Sequence, residues 1–484
     1  MNPVERDFET VVGLEVHAQL LTRTKLFCGC ETSFGRAPNT HVCPVCAGHP
    51  GTLPRLNGGA VRKAIAACLA LGSEVAEVSV FSRKNYFYPD LPKGYQITQF
   101  EAPIGRGGYV DVPLADGTTK RARLERIHME EDAGKSVHEG EHSLVDLNRA
   151  GTPLVEIVGR PDLASGREAA AYLRTLRDAL VFAGVNDGNL EEGSFRCDAN
   201  VSVRRRGDPE LGVRVELKNI NSFRFVEKAI EVEAARQIAI VSAGGRVRSE
   251  TRGWDEAKEA TFAMRSKETA QDYRYFTEPD LLPLRVDPAL VEAVRRDLPE
   301  GPTAKRRRYV EALGLSPYAA DVLTQHPGIA SYFEAALALG ADAVALANFV
   351  QAEVMADVRT HGLEVDLPVT ARAVAGVLAL VKAGTISGKQ AKDLYRAVRE
   401  RGGDVDVERL AEEIGMRQLS DEGALRALCE KVLADSPKQR DEYRKGKKTL
   451  FGYFVGQVMK ASSGKANPAL ANAILTELLS KEGA

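Results

Sequence analysis

The rhythm of hydrophobic and polar positions changes twice along the chain. Up to about residue 290, short alternating segments are separated by many Gly and Pro turns. "VVGLEVHAQL", "ANVSVRRR" and "VRVELKN" alternate with period two and predict strands. "GGAVRKAIAACLALG" (58–72) and "FRFVEKAIEVEAARQIAIV" (223–241) place apolar residues at helical spacing and predict helices. From about residue 295 no strand pattern returns, and "SYFEAALALGADAVALANFVQAEVMADV" and "ISGKQAKDLYRAVRERGGD" read as helical. A second change near 404–408 opens a final stretch that ends in "NPALANAILTELLSKEGA". The pattern predicts three parts: an α+β domain over 1–293, an all-helical domain over 294–405 and a small helical tail over 406–484.

The predicted strands have two unlike faces. In "GLEVHAQL", Glu15, His17 and Gln19 lie opposite Leu14, Val16, Ala18 and Leu20. In "LERIHMEED", His128 and Glu130 share a face. In "RCDANVSVR", Asp198, Asn200 and Ser202 oppose Ala199, Val201 and Val203, and in "VRVELKN" Glu216 and Lys218 oppose Val215 and Leu217. An antiparallel sheet with one covered face and one open face produces this alternation. Acids are common on solvated faces, but histidines beside them are less so. Carboxylates converging from several strands suit Mg²⁺, which prefers carboxylate oxygen and water and bridges nucleotide phosphates. Because imidazole is an unusual Mg²⁺ ligand, His17 is also a candidate for contact with phosphate or a bridging water.

Composition narrows the class. With 484 residues, 44% hydrophobic and 27% charged, the chain reads as a soluble protein of two or three domains. No uncharged apolar run reaches the roughly 20 residues of a membrane span, and the N-terminal "MNPVERDFET" lacks a secretory pattern. Seven cysteines, four of them clustered, fit a reducing cytoplasm better than a disulfide framework. A net charge of −2 excludes a global basic field, so any nucleic-acid binding uses local patches.

"FCGCETSFGRAPNTHVCPVC" supplies Cys28, Cys30, Cys43 and Cys46, a spacing that suits one tetrahedral structural Zn²⁺, with His41 and His49 as nearby substitutes. Cys68, Cys197 and Cys429 have no motif that argues for a reactive thiol. "DAGKS" (132–136) resembles the end of a P-loop, but Met129 stands where the first Gly belongs. No G-x-S-x-G nucleophile motif is present. "FSRKNYFYPDLPKGYQITQ" (81–99) interleaves aromatics with Arg83, Lys84 and Lys93. Residues 438–465 carry eight basic residues (Lys438, Arg440, Arg444, Lys445, Lys447, Lys448, Lys460 and Lys465) against Asp441 and Glu442, a local patch suited to a phosphate backbone.

Taken together, "VVGLEVHAQL", "CPVCAGHPGTLP", "FSRKNYFYPDLPKGYQITQ", "RIHMEEDAGKS", "DLNRAGTPLVEIV", "GSFRCDANVSVR", "ELKNINSF" and "ETRGWDE…MRSKETAQDYRYF" resemble the B subunits of bacterial glutamyl/aspartyl-tRNA amidotransferases. The tail "GKANPALANAILTELL" resembles the family's YqeY-like domain. The resemblance spans nearly the whole chain. It implies a first domain that cradles the acceptor end of Glu-tRNA(Gln) or Asp-tRNA(Asn) and uses ATP and Mg²⁺ to phosphorylate the side-chain carboxylate. Ammonia from glutamine hydrolysis on the A subunit then displaces phosphate, a C subunit bridges A and B, and the helical and tail domains hold the tRNA body. Carried over by motif, Mg²⁺ falls to His17, Glu130, Asp198 and Glu216 with Glu15 close by, and Lys84 and Lys93 become phosphate or acceptor-end candidates. The resemblance implies a cytoplasmic carbon–nitrogen ligase with no DNA or membrane partner. The contrasting expectation is a non-catalytic, zinc-containing tRNA-binding scaffold, which a clustering of strand-face carboxylates would disfavour.

Overall fold

The computed structural model describes residues 7–266, 273–416, 422–462 and 466–481. The chain divides into two compact units, Met1–Pro302 and Thr303–Ala484. Lys465 of the basic stretch and residues 267–272 of the tyrosine-rich motif lie outside the described residues.

The first unit is built on strands β1 (Phe8–Gln19), β2 (Glu74–Val75), β3 (Ser82–Asn85), β4 (Tyr95–Thr98), β5 (Gly105–Arg106), β6 (Tyr109–Pro113), β7 (Thr119–Glu131), β8 (Pro153–Gly159), β9 (Phe195–Arg205), β10 (Val215–Lys218), β11 (Glu250–Asp255), β12 (Ala260–Ser266) and β13 (Phe276–Thr277). Ten of them form one sheet in the order β12-β11-β10-β9-β1-β8-β7-β5-β2, with β6 also on β7. Every pairing in it is antiparallel except β10 with β11. A small sheet of order β13-β3-β4 stands beside the end of β7.

The predicted apolar faces are the buried ones. Val12, Leu14, Val16 and Ala18 of β1 join Ala199, Val201, Val215 and Leu217 in one core. Helices α1 (Gly58–Ala70), α2 (Gly166–Phe182) and α3 (Phe223–Ser242) contribute Ile65, Leu173, Leu176, Val226 and Ile230 to it. Each helix starts where a side chain caps it: Asn57 on α1, Ser165 on α2 and Ser222 on α3. Removing this much apolar surface from water is the main stabilising term of the unit. Helix α2 adds to the two helices that periodicity predicts in this unit; its buried Ala and Leu residues line one face.

Two expected boundaries shift. Helix α4 (Pro288–Asp297) straddles the expected 293/294 division and packs its Val294 into the first core. In the second unit, Tyr309–Ala411 build a helical core that includes Val407, Leu410 and Ala411, so the helix Val407–Glu413 belongs there and not to the tail expected from 406. A third core runs from Leu425 to Leu479. The helical region also contains one short hairpin, Arg359–His361 with Glu364–Asp366, too brief for alternation to reveal. Among the described residues no helix is long and apolar enough to cross a membrane.

Candidate functional site

The polar sheet face is less open than its pattern predicts. Strand β4 crosses the end of β7: Thr98 donates to Glu130 at 3.1 Å, and the Ile97 amide donates to Glu131 at 2.9 Å. Glu130 and His128 are in consequence only 2% and 3% exposed. Register does the rest. β1 pairs with β8 so that His17 faces Glu156, and β8 pairs with β7 so that Glu156 faces His128.

His17, Glu130, Glu156 and His128 thereby form one charged cluster. His17 Nε2 lies 3.6 Å from Glu130 and 3.4 Å from Glu156, and His128 Nε2 lies 3.7 Å and 3.2 Å from the same two carboxylates. Burial opposes charge on His128, but the Glu156 and Glu130 carboxylates outweigh it and push the imidazole up to about 9. Burial likewise opposes charge on His17, and contact with Glu156 tips it upward. In return, although burial favours their neutral forms, both carboxyls are held below the ordinary range: Glu130 by contact with His128, and Glu156 mainly by the charge on His128.

A second group lies on the next strands. Lys218 donates to Asp198 at 2.5 Å and sits 3.3 Å from Glu216, which accepts from Thr251 at 2.9 Å. Glu15 accepts from Asn200 at 2.9 Å; burial, then the Glu156 charge, raises its carboxyl. A cavity of about 370 Å³ joins the groups, lined by His17, Glu130, Asp198, Lys84, Arg196 and Lys218 among others. Arg196 is held there by Asp132 at 2.8 Å, which also accepts from Gln19 at 2.9 Å. Lys84 reaches the cavity over the Tyr273 ring at 4.9 Å; burial works against its charge, but Glu130, Tyr275, Glu156 and Tyr273 together outweigh burial and raise its ammonium.

The expected magnesium set is therefore split. His17 and Glu130 meet, with Glu156 as their third partner, and their donor atoms all lie within 4.8 Å of one another. Asp198 lines the same cavity, whereas Glu216 belongs to the Lys218 group. Octahedral Mg²⁺ with oxygens at about 2.1 Å needs ligand atoms about 3.0 Å apart when adjacent and about 4.2 Å when opposite. Glu130 and Glu156 offer two carboxylates, the donor type Mg²⁺ prefers, within 4.8 Å of each other. Sequence reasoning missed Glu156 because β8 places it on one face with the apolar Leu154 and Val158, so that face does not read as polar. Lys93 is elsewhere: its ammonium pairs with the buried Glu131 and lines a different cavity, of about 210 Å³, beside the cysteine loop.

In that loop the donor atoms of Cys28, Cys30, Cys43 and Cys46 lie within 4.8 Å of one another, and the Cys43 and Cys46 sulfurs are 3.9 Å apart. Four thiolates at about 2.3 Å from a tetrahedral Zn²⁺ stand about 3.8 Å apart, so the arrangement fits zinc. His41 instead lies 3.9 Å from Glu31. The remaining cysteines, Cys68, Cys197 and Cys429, are buried.

Comparison with known proteins shows which family the chain resembles. Residues 10–292 match the family described as the GatB/GatE catalytic domain, and residues 331–479 match the GatB domain that bears the YqeY name. The B subunit of the aspartyl/glutamyl-tRNA(Asn/Gln) amidotransferase of Anaeromyxobacter dehalogenans is 54% identical over 481 residues, 98% of this chain and 99% of its own. The proteins of the same name from Thioalkalivibrio sulfidiphilus and Persephonella marina are 51% and 49% identical, each over 98% of this chain and 100% of its own. With its first unit matched almost throughout and relatives matched end to end, the chain belongs to the GatB family.

Proposed function

We propose that this chain is the B subunit of a glutamine-dependent aspartyl/glutamyl-tRNA amidotransferase and that its first unit carries the carboxylate-activating step. The observation that carries the reading is the cavity in which Glu130, Asp132, Asp198 and His17 face Lys84, Arg196 and Lys218. A surface evolved only to grip RNA would not bury several acids together, because each repels the phosphate backbone.

In the proposed reaction the side-chain carboxylate of Glu-tRNA(Gln) or Asp-tRNA(Asn) attacks the γ-phosphorus of ATP. ADP leaves and an acyl phosphate forms. Ammonia then attacks the acyl carbon, inorganic phosphate departs and the nitrogen loses a proton, giving Gln-tRNA or Asn-tRNA. Phosphoryl transfer depends on position and charge neutralisation more than on covalent help from protein groups. Glu130 and Glu156 would hold Mg²⁺, with His17 beside them and Asp198 across the cavity. When bound, the ion neutralises phosphate oxygens. Lys84 and Arg196 supply fixed positive charge at the cavity wall, Asp132 orients Arg196, and Lys218 holds Asp198 and Glu216 in place.

Ammonia comes from a separate A subunit, with a C subunit completing a cytoplasmic heterotrimer. The second unit is the proposed grip on the tRNA body: Lys438, Arg444, Lys445, Lys447, Lys448 and Lys460 are all exposed on its tail. The test is to assemble the A–B–C complex and supply ATP, glutamine and each mischarged tRNA. Glu130→Ala and Asp198→Ala should abolish acyl-phosphate formation while tRNA binding persists. Normal turnover by both variants would falsify the site, and amidation of neither tRNA by the wild type would sink the function.

A further inference from the structure

We propose that Lys25 is the outer-sphere cation of a zinc–tetrathiolate centre at Cys28, Cys30, Cys43 and Cys46, and that it fastens this centre to the turn at 147–151. Lys25 is fully buried, at 0% exposure. Lysine is almost never fully buried without a charged partner. Its ammonium donates to the carbonyls of His41 at 2.8 Å and Leu147 at 3.2 Å, and to the Cys46 sulfur at 3.5 Å. Among the described residues no carboxylate lies within ion-pair distance of it. The other ammonium beside the loop, Lys93, is by contrast taken by Glu131.

A buried ammonium facing only neutral acceptors is costly. Four neutral thiols would leave Lys25 in that position. Four thiolates around Zn²⁺ carry a net charge of −2, which Lys25 reduces to −1. The N–H···S contact also draws electron density from the Cys46 sulfur, which slows its protonation and its release from the metal.

The surrounding backbone is shaped for this contact. The Leu26 amide donates to Gly151 and the Ala150 amide to Leu147, so the turn lies directly against the Lys25 segment. Gly151 has a φ of +86°, and a Cβ there would meet Cys46 Cβ and Lys25 Cδ, each at 3.4 Å. The positive φ is what favours glycine there, since L side chains rarely adopt it, and the 3.4 Å spacing would leave such a Cβ in ordinary van der Waals contact with both residues.

The experiment uses the full chain, loaded with zinc or stripped of it, as wild type, Lys25→Met and Lys25→Gln. Zinc content, the rate of zinc transfer to a colorimetric chelator and the zinc-dependent rise in unfolding midpoint are measured. Both variants should release zinc about 10- to 100-fold faster, as expected for loss of an outer-sphere partner, and should gain less from zinc than the wild type does. Stripped of zinc, they should unfold at the wild-type midpoint or above it, because an unpaired buried charge has been removed. Unchanged release rates would overturn the proposal. So would a destabilisation equal in loaded and stripped protein, or failure of both variants to fold where stripped wild type does, since either result makes Lys25 a packing residue only.

Discussion

Raising the pH in magnesium-free buffer should weaken the first unit through His128. Its imidazole stands at about 9 in the folded chain, because Glu156 and Glu130 face it and outweigh its burial, against an ordinary value near 6.5. A group whose pKa rises on folding adds stability that is complete below the unfolded value and disappears as pH climbs through the folded one. The relevant window therefore runs from about pH 6.5 to about pH 9. At 1.36 kcal/mol per pKa unit, a rise of about 2.5 units corresponds to about 3 kcal/mol. Glu130 and Glu156 are shifted downward and act below the ordinary carboxylate range, outside the window. His17 is shifted the same way as His128, so a variant is needed to separate the two. Trp254, the only tryptophan, is buried in the first core and reports this unit's unfolding by fluorescence. Urea titrations of wild type and His128→Gln at several pH values give the difference in unfolding free energy. That difference should shrink by about 3 kcal/mol between pH 6.5 and 9. Parallel pH profiles for the two proteins would show that His128 is neutral in the cluster and would refute the electrostatic reading of the site.

Two further outcomes follow from packing. A chain ended after Met416 keeps the whole second core and should fold while losing tRNA affinity at fixed salt, whereas one ended after residue 405 loses Val407, Leu410 and Ala411 and should also lose helical stability by circular dichroism. At Gly166→Ala the new Cβ would lie 2.2 Å from the Glu227 carbonyl oxygen of α3, so the α2–α3 crossing must shift. The expected cost is about 2 kcal/mol or more in Trp254-monitored urea unfolding, and an unchanged midpoint would contradict the close approach.

Local pattern by itself determined much of this protein. Alternation assigned Leu14, Val16 and Ala18 to the core and Glu15, His17 and Gln19 to the other face, because side-chain direction in a strand depends only on neighbouring backbone. Cysteine spacing was sufficient for a metal loop, since its ligands lie within nineteen residues of each other. The family motifs in sequence order agreed with a match across the first unit. Tertiary structure alone decided which acids meet. His17 faces Glu156 through a strand pairing that joins positions well over a hundred residues apart, and no local rule sets that register. The same long-range pairing divides the expected magnesium residues between the His17–Glu130–Glu156 cluster and the Lys218 group. Charge partners are likewise a property of the folded chain. Lys84 and Lys93 look alike in sequence, yet one reaches the cavity while the other is taken by Glu131. Nothing in its local sequence marks Lys25 either; only its burial beside Cys46 sets it apart.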